Sequence, residues 1–222
     1  MSDQSYRAAL IGVGMVSGTF VNALANLPVQ LTGALGARSG SAAAFLEKHN
    51  LTGRAYGSVA EIAADESVDF VILTTPPDSR VDIVQALAAA GKPILMEKPI
   101  ERSLAAARQI CEICEAAEVP LGIVLQHRAS DPAQELLRRK SEFGDLRVVE
   151  IHVPWWRDQA YYDEPGRGSY ARDGGGVLLT QAIHVLDLAL IYRQGERCGG
   201  DVRHQRFSSD GGRGFCQRGA EI

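Results

Sequence analysis

Along roughly the first 125 residues, short apolar runs alternate with longer stretches of helical period. Residues 8–11, 29–37, 70–73, 94–96 and 121–125 read as strands, and the third and fourth are apolar throughout, as strands buried on both faces are. Between them lie segments with helical spacing. Residues 16–26 put Val16, Phe20, Val21 and Leu24 on one side. Residues 41–49 form a second helix with Ser41 as its N-cap, and residues 79–90 a third, opened after Pro76-Pro77 and closed by Gly91. Residues 104–117 form a fourth. Strand and helix in alternation imply right-handed crossovers and a parallel, doubly wound α/β sheet.

Past residue 120 the character changes. Residues 132–140 have a helical pattern, and residues 146–153 alternate apolar and polar positions as a half-exposed strand does. Trp155, Trp156, Tyr161, Tyr162 and Tyr170 then crowd a segment rich in glycine, arginine and acids, more aromatics than loop packing calls for. Residues 177–191 return to a strongly apolar helical pattern. This layout predicts a first domain over 1–120, a partial second α/β domain over 121–194, and a tail over 195–222. In the tail's 28 residues only seven are hydrophobic and seven are glycine, too little apolar surface to offset the entropy of ordering.

Composition excludes several classes of function. The 222 residues carry a formal net charge of −4, which offers no basic surface to nucleic acid or anionic lipid. No apolar run approaches the ~20 residues of a membrane span, and the polar N-terminus does not resemble a secretory signal. Cys111 and Cys114 stand three apart without a second ligand pair, so no metal site is expected. A reducing, cytoplasmic setting follows.

The chemistry lies in three places. Gly12-Val13-Gly14-Met15-Val16-Ser17 follows a strand and opens a helix. Gly12 permits the turn, Gly14 lets the backbone approach a pyrophosphate, and the helix N-terminus supplies N–H groups to that anion. Met15 and Val16 complete this candidate cofactor contact, with Ser17 where a third glycine is usual. The second strand ends in Gly36-Ala37-Arg38-Ser39 rather than in the acid that binds a ribose 2′-hydroxyl. Arg38 and Ser39 suit a 2′-phosphate, which favours NADP over NAD. Thr75 and Pro76, ending the third strand, would edge the nicotinamide ribose.

The second place is Glu97-Lys98-Pro99. An acid, a lysine and a proline close an otherwise apolar strand, so the ladder stops there and Lys98 stands at a strand's carboxyl end, where open α/β sheets bind ligands. The third is Asp173-Gly174-Gly175-Gly176, leading into a helix whose Thr180, His184 and Asp187 recur at i, i+4, i+7 and so share a face. Gln181 precedes His184 by one turn. Histidine titrates near neutrality, as proton exchange with an alcohol or ketone requires.

Together these motifs resemble the Gfo/Idh/MocA family of NAD(P)-dependent oxidoreductases, over about residues 6–194. The resemblance implies a Rossmann domain followed by an α/β domain whose open sheet serves substrate binding and homo-oligomer contacts. It implies hydride transfer between nicotinamide and a sugar, cyclitol or nucleotide-sugar carbon, with Lys98 orienting the substrate hydroxyl and His184 as general acid/base. Glu97 joins the cofactor contacts, and Tyr162, Arg167, Thr180 and Gln181 the substrate contacts. The Thr180-Gln181 pair, and Tyr161-Tyr162-Asp163 followed by Arg167-Gly168, are similar to the nucleotide-sugar 3-dehydrogenase branch. Arg80 stands where the family often carries histidine.

The family continues far past His184 to complete its second sheet. Residues 206–217 can be encoded by codons that, one frame over, give a family-like continuation, which implies a frameshift near residues 192–200. The expected chain is therefore a truncated member with an incomplete second domain, impaired in turnover and doubtful as an oligomer. The alternative readings are a non-catalytic, redox-sensing dinucleotide-binding protein and, on the same fold, an enzyme acting on carbon–halogen or carbon–carbon double bonds.

Overall fold

Six parallel strands form the sheet of the computed structural model, which describes residues 5–145 and 147–192 and the backbone of 204–206 and 215–217. They are β1 (Tyr6–Ile11), β2 (Val29–Leu35), β3 (Arg54–Ala55), β4 (Phe70–Leu73), β5 (Ile94–Glu97) and β6 (Leu121–Val124). Their order is β3-β2-β1-β4-β5-β6, every neighbour parallel. This is a doubly wound Rossmann sheet, and its direction of winding reverses between β1 and β4. The helices of this part are α1 (Ser17–Leu24), α2 (Ser41–Lys48), α3 (Val59–Ala64), α4 (Arg80–Ala89) and α5 (Leu104–Ala116).

The apolar strands are apolar because both faces are covered. In β1, Ala9 and Ile11 join Val71, Leu73, Ile94 and Met96 under the helix residues Ile62, Val84, Leu87 and Ile110. Ala8 and Leu10 join Ile72 in a second core beneath Phe45 and Leu46, with Phe20, Val21 and Leu24 packed at its edge. Period-two alternation thus separates two cores rather than core from solvent.

Helix entry departs from expectation at α2. Its N-cap is Gly40, at φ 76, and Ser41 is the first helical residue; the Ser41 hydroxyl donates to the Arg38 carbonyl instead. Ser58 and Ser103 do cap, each accepting from the backbone N–H three residues on.

The chain falls into two compact units, Met1–Gln126 with Trp156–Gln181, and His127–Trp155 with Ala182–Ile222. The first also holds the short helices α7 (Gln159–Tyr162), α8 (Tyr170–Asp173) and α9 (Val177–Thr180). The second holds α6 (Asp131–Arg138) and α10 (Ile183–Tyr192), tied where the Tyr192 hydroxyl donates to the Ala133 carbonyl at 3.2 Å. The strand expected over 146–153 does not form among the described residues. Val148 there is 76% exposed, and no described strand lies alongside to take its backbone groups. The expectations for residues 195–222 lie outside the described residues, save for an antiparallel strand pair, β7 (His204–Arg206) with β8 (Phe215–Gln217).

Candidate functional site

The glycine turn sits at the winding reversal. Gly12 has φ 100, and a Cβ added there would lie 2.8 Å from the Thr75 amide nitrogen, so only glycine fits. The Thr74 hydroxyl locks the turn by donating to the Gly12 carbonyl at 2.5 Å. Gly14 differs: an added Cβ would meet nothing within 4 Å. Its surroundings are Met15, 60% exposed, and Val16, also exposed, at the N-terminus of α1. Open space above a glycine at a helix N-terminus is where a pyrophosphate fits. Ser17, in the third glycine's position, is buried, and its hydroxyl donates to the Gly14 carbonyl at 2.5 Å, so the polar group is satisfied within the turn. At the end of β2, Arg38 and Ser39 are exposed, and Arg38 forms no ion pair among the described residues.

Beyond β4 and β5 the strand ends carry buried charge. The Lys98–Pro99 peptide is cis. Lys98 Nζ lies 4.0 Å from Glu97 Oε1 and donates to the Thr180 carbonyl at 2.9 Å. Burial pushes the Lys98 ammonium below its ordinary pKa, against the pull of Glu97 and with the help of Arg167 and Arg80. Burial likewise pushes the Glu97 carboxyl up, against the pull of Lys98 and Arg80. The segment after Lys98 packs on the glycine run: Arg102 donates to the Ala171 carbonyl, and a Cβ on Gly174, at φ 79, would lie 2.7 Å from Arg102 Cα. The two motifs, more than 70 residues apart in sequence, are therefore one structural piece.

Around them the aromatic segment supplies Arg167, its Cζ 4.9 Å over the Tyr161 ring and its Nη2 3.5 Å from Glu164 Oε2 and 3.9 Å from Met15 Sδ. Tyr162 is exposed and meets Tyr161 edge-on at 5.1 Å. Thr75 Oγ1, Arg167 Nε and Gln181 Oε1 are buried without a hydrogen-bond partner among the described residues. Such orphans cost about 1–3 kcal/mol each and call for a partner. All three belong to residues that the sequence marks as cofactor or substrate contacts, which is what a site built around a ligand would leave.

His184 belongs to the second unit. It is buried on α10 and stacks on His127, centroids 4.7 Å apart. Asp187, one turn on, takes a two-point ion pair from Arg128 at 2.6 and 2.5 Å. The shared face of Thr180, His184 and Asp187 is not found, because the helix is interrupted at Gln181 and Ala182 and divides into α9 and α10. Nothing in that apolar stretch signals a break.

Sequence reasoning passed over Arg80 as a site residue. It is 2% exposed and opens α4, where it heads a buried stripe with Val84, Leu87 and Ala88. A charged residue at the head of an apolar stripe of period 3.6 was the signal available.

A family model described as "Oxidoreductase family, NAD-binding Rossmann fold" matches residues 6–124, and one described as "GFO/IDH/MocA C-terminal domain" matches residues 133–205. Human trans-1,2-dihydrobenzene-1,2-diol dehydrogenase is 30% identical over 204 residues, covering 86% of this chain and 57% of its own. Inositol 2-dehydrogenase of Rhizobium meliloti is 27% identical over 184 residues, covering 82% and 53%. The crystal structure of the WlbA dehydrogenase from Bordetella pertussis in complex with NADH and UDP-GlcNAcA superposes with a TM-score of 0.79 at 26% identity, covering 87% and 58%. The chain thus spans a little over half the length of these relatives. Among the described residues no helix is long and apolar enough to cross a membrane.

Proposed function

The chain belongs to the Gfo/Idh/MocA oxidoreductase family, and from that premise we propose a nicotinamide-dependent dehydrogenase acting on a hydroxyl-bearing carbon of a sugar-like, cyclitol or nucleotide-sugar substrate. When bound, the dinucleotide supplies the hydride acceptor or donor. Gly12, Gly14, Met15 and Val16 receive its pyrophosphate. Thr75, Pro76 and Glu97 border the nicotinamide ribose. Arg38 and Ser39, exposed and without an acid at the strand end, receive a 2′-phosphate, which favours NADP. Residues 1–120 serve as the dinucleotide domain and residues 121–194 as the beginning of the substrate domain. In the reaction Lys98 donates to the substrate oxygen and His184 exchanges its proton, while Tyr162, Arg167, Thr180 and Gln181 contact the sugar-like body.

One observation carries this reading. Lys98 Nζ stands at the carboxyl end of β5 with three N–H donors, and the only hydrogen bond it makes among the described residues is to the Thr180 carbonyl. The donors left over, on an ammonium whose proton is loosened by burial, suit a substrate alkoxide or carbonyl oxygen.

The test is titration with NADH and NADPH by nicotinamide fluorescence, followed by turnover on a panel of polyols, sugars and nucleotide sugars. Binding with weak turnover that Lys98→Ala and His184→Ala abolish, cofactor affinity being kept, is the expected result. Binding with no turnover on any substrate would favour the redox-sensing alternative. No binding of either dinucleotide would refute both.

A further inference from the structure

Arg80 is the buried cation for which the proposed chemistry has no use. Its guanidinium donates from Nε and Nη2 to the Thr75 carbonyl at 3.1 and 2.7 Å. From Nη1 it donates to the Glu97 carbonyl at 2.5 Å, to the Ile100 carbonyl at 3.3 Å and to the Pro99 carbonyl. Thr75 ends the segment after β4; Glu97, Pro99 and Ile100 surround Lys98 after β5. One rigid, planar fork thus bridges the carboxyl ends of two adjacent strands, β4 and β5, the first of which borders the winding reversal.

All these acceptors are backbone carbonyls. No carboxylate touches the guanidinium among the described residues, although burying an unpaired charge is costly. Burial lowers the Arg80 pKa to about 10, with Glu97, Glu101 and Asp78 opposing, so the group remains a cation at neutral pH. A fold that merely needed to fill this space would do so with an apolar side chain, as Val84 and Leu87 do one and two turns later in the same helix.

We propose that Arg80 is the positioning residue for Lys98: its guanidinium fixes the loop bearing Lys98 against the end of β4. The groups that act on the Lys98 ammonium are Glu97 beside it, Arg167 and Asp173 from the aromatic segment, and Arg80 from α4; the two arginines lower its proton affinity and the two acids raise it. Removing the Arg80 charge, and letting the loop open to water, both act to raise it.

This inference deepens the dehydrogenase reading in the role it gives Lys98, but its test does not depend on turnover. Reductive methylation with ¹³C-formaldehyde, with Lys98→Arg used to assign the signal, gives the titration midpoint of Lys98 by NMR in the wild type, Arg80→Met and Arg80→Lys. Hydrogen exchange of the peptides covering 74–77 and 97–101 is followed in the same proteins. A midpoint that rises by about half a pH unit or more in Arg80→Met, with faster exchange in both peptides together, is the expected outcome. Arg80→Lys keeps the charge but has one nitrogen in place of the fork, so it should show the faster exchange with a smaller rise.

Wild-type midpoint and wild-type exchange in Arg80→Lys would overturn the proposal. So would failure of both variants to fold, since Arg80 would then be a folding residue and no more. An NADH titration of the wild type separates the two readings: failure to bind ends the dehydrogenase reading while leaving the Lys98 midpoints to judge Arg80.

Discussion

Gly174→Ala tests whether the lysine loop and the glycine run behave as one piece. Two costs add. Gly174 has φ 79, in the left-handed region, where an alanine costs about 1–2 kcal/mol relative to glycine. The new Cβ would lie 2.6 Å from Arg102 Cβ and 2.7 Å from Arg102 Cα, whereas carbon atoms rest at about 3.5–4.0 Å. Arg102 Cα is backbone, so relief requires the two segments to part by about 1 Å, a strain on the order of 1–3 kcal/mol.

The sum, about 2–5 kcal/mol, is large against a domain stability of about 5–15 kcal/mol but compatible with a folded protein. The same parting pulls Lys98 Nζ from the Thr180 carbonyl, and a ~1 Å misplacement of a reacting group costs on the order of 10²-fold in rate. Urea denaturation monitored by tryptophan fluorescence measures the first effect. Gly176→Ala is the control, since φ there is −78 and its Cβ would meet nothing within 4 Å. If Gly174→Ala unfolds at the same urea concentration as Gly176→Ala, the interlock of the two motifs is wrong.

Gly14→Val should leave the urea midpoint within the scatter of surface substitutions, because its side chain enters open space, yet raise the dinucleotide dissociation constant at least tenfold; unchanged affinity by fluorescence titration would mean that the phosphates lie elsewhere. Arg38→Asp should reverse the cofactor preference, weakening NADPH and sparing or improving NADH; equal effects on both, read in parallel titrations, would remove Arg38 from the cofactor site. Lys98→Met should make the protein more stable near pH 7, with the advantage shrinking as pH rises. The folded pKa of Lys98 lies below the ordinary 10.5, so the cost of burying the charge is fully present below that folded value and is gone once both folded and unfolded lysine are neutral, above about 10.5. A stability gap that stays constant up to pH 10.5, in urea melts at each pH, would contradict the depressed pKa.

What the sequence made legible follows from how each signal is encoded. β4 and the Ile94–Met96 part of β5 were readable because a strand segment covered on both faces is apolar at successive positions, and proline follows each closely. The turn at Gly12 and the place of Lys98 at a strand end were readable because backbone geometry at a strand end admits few residue types. The division of residues 177–191 into α9 and α10 was not, since the break carries neither glycine nor proline and both halves are apolar. The strand expected over 146–153, not formed among the described residues, is the converse: an alternating pattern specifies a face, but a strand also needs a neighbour, and pattern alone does not supply one. α3 and β3 escaped notice for brevity, at six and two residues. Arg80 was visible only as a residue type out of place, because its partners are carbonyls from segments distant in sequence.

The sign of the pKa shifts separates the candidate site from ordinary ion pairing on this chain. Arg7 and Asp69 meet at 2.9 Å near the surface, and each is moved toward its charged form, Arg7 up and Asp69 down, chiefly by the hydrogen bond between them. Arg128 is likewise raised by its bond to Asp187. Glu97 and Lys98 are also opposite charges side by side, but both are moved toward neutrality, because at 4.0 Å without a direct hydrogen bond their attraction does not offset burial. An ion pair kept for stability would close that distance. Holding the two apart leaves a lysine that surrenders its proton more readily, and donors not spent on the neighbouring carboxylate. A proton donor facing a substrate oxygen needs both properties, and a structural pair needs neither.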